Sequence, residues 1–190
     1  MMHFETVEEP DDFNERVRER GNRWLKEHPK GRPPAFWNEC RGDLAKGFRQ
    51  LCGYSAMHLP NGTVDHFVSC DEDRSLAYEW FNYRFAAGWI NSSKGRSKSS
   101  ELLDPFQVED GWFRILLPSL QLVIDESKIP TELMDRAHFV LERLHLRDDE
   151  RVMKPRAQYY RMYREGNLSL EGLREFAPLI ARAVESQQEG

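Results

Sequence analysis

Asp65 and His66 stand side by side in the run Thr63-Val64-Asp65-His66-Phe67-Val68. Asn82 closes the run Tyr78-Glu79-Trp80-Phe81-Asn82, and Asn91 opens Asn91-Ser92-Ser93-Lys94-Gly95. A carboxylate, an imidazole and two amides in one short segment are the parts that phosphodiester hydrolysis uses. That reaction needs an activated water and a counter-charge for the leaving oxygen. A neutral imidazole at neutral pH suits the first task. A hard divalent cation held by oxygen donors suits the second. The Asp65 carboxylate and the Asn91 amide oxygen are donors of that kind.

Each of these residues also has a plainer reading. An Asp-His pair alone is common, Asn82 can be a turn residue, and Asn91 can face water from a helix. Asp71, Glu72 and Asp73 read as a solvated acidic loop rather than as extra metal ligands. His58 reads as a surface histidine, and His138 and His145 as structural ones. Positive charge gathers from Phe81 to Ser100, where Arg84, Lys94, Arg96 and Lys98 occur with no acid among them. With the neighbouring serines they could contact phosphates without reading base sequence, in binding that weakens steeply with salt. Apart from the motif, Lys94, Arg96 and Lys98 read as a solvated loop. Arg156, Arg161 and Arg164 either extend such a face or solvate a helix.

These residues need elements to hold them. Pro60-Asn61-Gly62 is a turn signal, and residues 63–68 read as a short strand. A polar loop follows. The aromatic run 78–85 supplies a second strand, and residues 86–94 a short helix stopped by Gly95. Strand, loop, strand and helix in that order fit one ββα unit. Before it, residues 11–28 and 36–51 carry helical apolar stripes, separated by a breaker-rich connection at 28–34. After it, residues 112–117 and 120–124 read as a hairpin broken at Pro118-Ser119. Helices are expected from Thr131, over 156–165, and after Ser169, the last kinked by Pro178. Adjacent residues on a regular strand point to opposite faces. Asp65 and His66 can therefore share a site only if the strand twists or ends there.

Composition narrows the class. The chain has 190 residues and a net charge of −5, so it is not coated in basic residues, and any nucleic-acid contact must be a local patch. Three cysteines (Cys40, Cys52 and Cys70) without CxxC spacing argue against a disulfide framework and a four-cysteine zinc site. They suit a reducing compartment. No apolar run approaches a bilayer span, and the N-terminus has no signal-like apolar segment. The expectation is a soluble, cytoplasmic protein.

The pattern Val-Asp-His-Phe, Tyr-Glu-Trp-Phe-Asn and Ile-Asn-Ser-Ser-Lys-Gly, clearest over residues 52–95, resembles the HNH endonucleases in their Asp-His/Asn/Asn variant. It is most similar to the bacterial group that includes the HNH component of Septu-type anti-phage systems. The resemblance implies an α+β fold: a small ββα-metal core embedded in a mainly helical domain with an additional short β-hairpin. It divides the chain into a helical region (1–51), the core (52–100), and the hairpin with further helices (101–190), within a single compact domain. By position it implies His66 as general base and Asp65 and Asn91 as ligands of one Mg²⁺ or Mn²⁺. Asn82 would pin the loop that orients His66. Zinc-stapled relatives carry two CxxC pairs, and the corresponding positions here are Cys52 and Ser55, then Ala87 and Ile90. No structural zinc is expected, and Tyr54, Trp80, Phe85, Trp89 and Ile90 are expected to pack in its place. The activity implied is metal-dependent cleavage of DNA, with RNA left open, in prokaryotic defence. An ATPase or sensor chain is the implied partner, and a homodimer the simple route to double-strand cuts. The alternative is an HNH-derived module that has lost catalysis and binds nucleic acid or protein.

Overall fold

Apolar spacing decides which face of the first helical stretch turns inward. A π-type turn (Asn14–Arg18) runs into α1 (Glu19–Glu27), and Phe13, Val17 and Gly21 are buried along one side. Gly21 lets that side press against a ring: a Cβ there would lie 2.1 Å from Cγ of Tyr78, which is itself fully buried. The computed structural model describes residues 1–188.

The expected helix over 36–51 is shorter and split. A 3₁₀ turn (Phe36–Cys40) precedes α2 (Arg41–Gly47). Arg49 and Gln50 then take φ of 54° and 58°, which ends the helix before Leu51.

The segment that carries the motif follows the expected order of elements. β1 (Thr63–His66) pairs antiparallel with β2 (Tyr83–Ala86), with Val64 opposite Phe85, Asp65 opposite Arg84 and His66 opposite Tyr83. α3 (Gly88–Lys94) follows directly and ends at Gly95, whose φ is 56°. The second strand is shorter than its aromatic run suggested. Residues 74–78 and 80–82 form two 3₁₀ turns, because the Asn82 side chain is drawn into the preceding loop.

The hairpin also forms, from β3 (Phe113–Leu116) and β4 (Gln121–Ile124), paired antiparallel. Four α-helices follow among the described residues: α4 (Met134–Arg143), α5 (Glu150–Arg164), α6 (Leu170–Phe176) and α7 (Pro178–Gln188). α5 begins earlier than expected. The Asp149 side chain caps it by accepting from the Arg151 amide, and Pro155 is absorbed in its second turn. The last helix is broken rather than kinked. Pro178 cannot donate to the preceding turn and pushes Ala177 out of the helical region, to φ −150° and ψ 63°.

Among the described residues the fold is therefore mixed helix and strand, with two separate two-stranded antiparallel sheets. One apolar cluster runs through residues from every part of the chain, from Met1 to Val184. Polar ties cross it as well. The Phe4 amide donates to Pro105 O at 3.0 Å, the Trp80 indole to Val7 O at 2.7 Å, and the His58 amide to Phe176 O at 2.8 Å. Arg156, read from sequence as a surface base, is buried instead. It donates to the carbonyls of Leu120, Leu146 and Arg147, fastening α5 to the hairpin. Burial brings its guanidinium down to about 10. Among the described residues no helix is long and apolar enough to cross a membrane.

The contact of Gly21 with Tyr78 gives a direct test. Gly21→Ala forces a methyl into the ring, and overpacking of this kind costs about 1–3 kcal/mol. Urea unfolding of the variant should show that loss with an unchanged slope.

Candidate functional site

Strand alternation separates the two adjacent residues of the motif. Asp65 turns to the face that α3 covers, and His66, the last residue of β1, turns to the opposite one. The two faces have different chemistry.

On the first face Asp65 is 1% exposed. Both of its oxygens accept from Lys94 Nζ, at 2.9 and 3.0 Å, and Oδ2 also accepts from the Tyr54 hydroxyl at 2.6 Å. Lys94 gives a further hydrogen bond to the His66 carbonyl, so its three donors are all engaged. Burial and the neighbouring carboxylate push the Tyr54 phenol well above its usual range. Arg84, opposite Asp65 in the sheet, binds Asp104 through Nε at 2.7 Å and through its second terminal nitrogen. Its remaining nitrogen donates to Phe81 O and Tyr83 O, each at 2.8 Å. The guanidinium lies over the ring of Phe106, 3.9 Å from its centroid. Two acids and two bases thus share a buried patch, each acid against a base. Removing one partner of such a pair is costly because it strands the other.

On the second face the imidazole of His66 meets Trp37 and Tyr83 edge to face, at 4.5 and 5.1 Å between ring centres. Nε2 lies 2.8 Å from Ala77 O. A carbonyl can only accept, so Nε2 carries the proton and Nδ1 of the neutral ring keeps its lone pair. Burial holds the ring below its ordinary 6.5, so it is neutral at pH 7. The carbonyl that anchors it is itself held. Asn82 Oδ1 accepts from the Val68 amide at 2.8 Å, and Nδ2 donates to Val68 O at 2.9 Å and to Leu76 O at 3.1 Å. One amide closes the 68–76 loop at both ends, next to Ala77. Tyr83 donates to the same Ala77 carbonyl at 2.9 Å.

Asn91 reaches β1 only through a long contact, its Nδ2 donating to Val64 O at 3.4 Å. Asp65, His66 and Asn91 make no hydrogen bond to one another among the described residues. As arranged, they do not fit a divalent cation. The carboxylate that would anchor it has both oxygens on an ammonium group, and the imidazole is turned to the other face.

The basic patch is divided in the same way. Arg84 and Lys94 are 3% and 2% exposed and serve the internal pairs, so neither is placed to meet phosphate. Arg96 and Lys98 stay on the surface. Arg96 lies 3.3 Å from Asp71, and Ser99 donates through its amide and hydroxyl to Glu72, at 2.8 and 2.7 Å. The acidic loop thus faces the basic one. Such exposed pairs contribute little stability.

The positions at which the resemblance would put a zinc staple lie in the interior. Cys52, Ser55, Ala87 and Ile90 are all buried, and the Ala87 amide lies 3.5 Å from Cys52 Sγ. Tyr54, Trp80 and Phe85 are buried too, but Trp80 packs against Phe13 and Tyr83. Trp89 is only half-buried, with the Arg151 guanidinium 4.3 Å from its ring centre.

Sequence reasoning missed the partners of the buried charges. One signal was available for Lys94: it lies three residues after Asn91 on α3, hence on the same side one turn on. Nothing in the pattern singled out Asp104, and Tyr54 was expected only as packing, not as a donor to Asp65. No protein-family model matches the chain, and no curated protein matches it significantly.

Three measurements test this geometry. Asn82→Ala leaves buried loop groups unpaired and should cost about 1–3 kcal/mol. Hydrogen exchange at the Val68 amide should speed up in the same variant. The unfolded chain protonates His66 near 6.5 while the folded chain resists it. The stability His66 contributes is therefore fully present above that value and is lost as pH falls below it. Urea midpoints between about pH 8 and pH 5 should fall further for the wild type than for His66→Phe.

Proposed function

We propose that the chain is a phosphodiester hydrolase acting on nucleic acid, with His66 as the general base and Asn82 as its positioning residue. The single observation that carries this reading is the anchoring of His66. A neutral ring with one nitrogen tied to a backbone carbonyl presents the other as a proton acceptor in a fixed direction. Asn82 fixes that carbonyl by closing the loop around it. Tyr83 donates to the same carbonyl, so the oxygen that anchors the ring is held from a second side as well.

The substrate class follows from less. The resemblance of the motif to HNH endonucleases favours DNA, with RNA as the alternative, and a role in anti-phage defence rests on that resemblance alone. The exposed Arg96 and Lys98 with their serines support phosphate contact, but the acidic loop beside them weakens it. A partner chain or a second copy would supply the grip that this face lacks.

A second reading has its own observation. Asp65 is fully engaged by Lys94 and Tyr54, which suits an HNH-derived fold that binds without cutting.

Purified protein incubated with plasmid and with single-stranded RNA, in Mg²⁺, Mn²⁺ or EDTA, separates the two. The hydrolase reading expects cleavage in at least one condition, lowered about 10²- to 10⁴-fold by His66→Ala. Its rate should rise with pH through an apparent pKa below 6.5 and then level off, because the base works only when unprotonated. No cleavage in any condition, with binding unchanged in His66→Ala, selects the binding module.

A further inference from the structure

The residue types around Asp65 suit a cation site, and a cation already stands in it. Lys94 Nζ contacts both carboxylate oxygens and the backbone carbonyl of His66. A carboxylate and a strand-end carbonyl are the oxygen donors that a hard metal ion would take. The ammonium sits among them on a stem from the last turn of α3, and that stem is 2% exposed. The Tyr54 hydroxyl adds a neutral donor to the same carboxylate, so Oδ2 accepts twice.

We infer that Lys94 is the resident cation of this site and that it excludes divalent metal from Asp65. Two physical points support exclusion. An ion entering here would have to eject a buried ammonium, which would then lack an acidic partner. The other buried carboxylate, Asp104, is held by Arg84 through both oxygens, and the exposed Glu72, close enough to feel the charge of Lys94, already accepts twice from Ser99. The ejected group would also give up its contact with the His66 carbonyl, at the strand end from which the imidazole projects. The inference concerns the face of β1 opposite the imidazole and does not rest on His66 acting as a base. It also gives the position a latent property: without the tethered cation, the same donors become a metal site.

Isotope-labelled full-length protein titrated with MnCl₂ alone tests this. Paramagnetic broadening in the amide spectrum locates the bound ion whether or not the protein cleaves anything. The wild type should show no broadening centred on residues 64–66 and 91. Lys94→Met should gain it there, and Lys94→Met with Asp65→Asn should lose it again. Wild-type broadening centred on Asp65 overturns the inference outright, and that arm needs no variant to fold. A folded Lys94→Met as silent as the wild type also overturns it, because the position would then not be a cation site. Failure of the cleavage experiment touches none of these outcomes.

Discussion

A carboxylate buried in the face of a small sheet must have positive charge against it, and the contact of Lys94 with Asp65 meets that demand here. Much of the motif segment is arranged around this pair. α3 has to start immediately after β2 so that its last turn brings Lys94 over β1. Gly95 has to end it there. Tyr54, from the turn before β1, closes the remaining side of the carboxylate. Arg84 and Asp104 repeat the solution one strand over, so the charged patch is neutral as a whole. Buried pairs of this kind add little net stability compared with apolar packing. What they do is fix register, since sliding β1 by one residue would carry Asp65 away from Lys94 and put His66 in its place.

The same alternation that turns Asp65 toward α3 turns His66 to the opposite face of the sheet. The two residues belong to different environments although they are adjacent in the chain. One environment is electrostatic and closed. The other is aromatic, with Trp37, Tyr78 and Tyr83 forming a wall and a single backbone carbonyl as the polar contact. Asn82 links them to the loop between the strands, and its three hydrogen bonds are the reason the chain leaves extended geometry before Tyr83. The imidazole is therefore positioned by backbone and loop, not by the neighbouring carboxylate.

Local patterns in the sequence were legible. The turn at Pro60-Asn61-Gly62, the short strand after it, the helix stopped by Gly95 and the 113–124 hairpin all rest on residues close in the chain. Their signals are turn chemistry and periodicity. The tie between Asn82 and the loop came from the resemblance of the motif, since local pattern alone marked Asn82 only as a turn residue. The pairings of charge were not legible. Lys94 and Arg84 read as surface bases because nothing local distinguishes a base that meets water from one that meets a distant acid. The distinction depends on Asp65, Asp104 and the packing of whole elements. Arg156 misled for the same reason: its partners are backbone carbonyls, which every sequence contains. The break at Ala177-Pro178 was placed correctly but underestimated, since proline acts both on its own hydrogen bond and on the residue before it.

The division of charge has a further consequence. The interior pairs are shielded from the ions of the medium, whereas Arg96 and Asp71 sit in full contact with them, their side chains 91% and 71% exposed. Raising ionic strength shortens the range of forces in water and hardly reaches those inside the molecule. The molecule's architecture and any hold it has on a polyanion thus answer to different controls. A concentrated salt solution would weaken any such hold while leaving every strand and helix where it was.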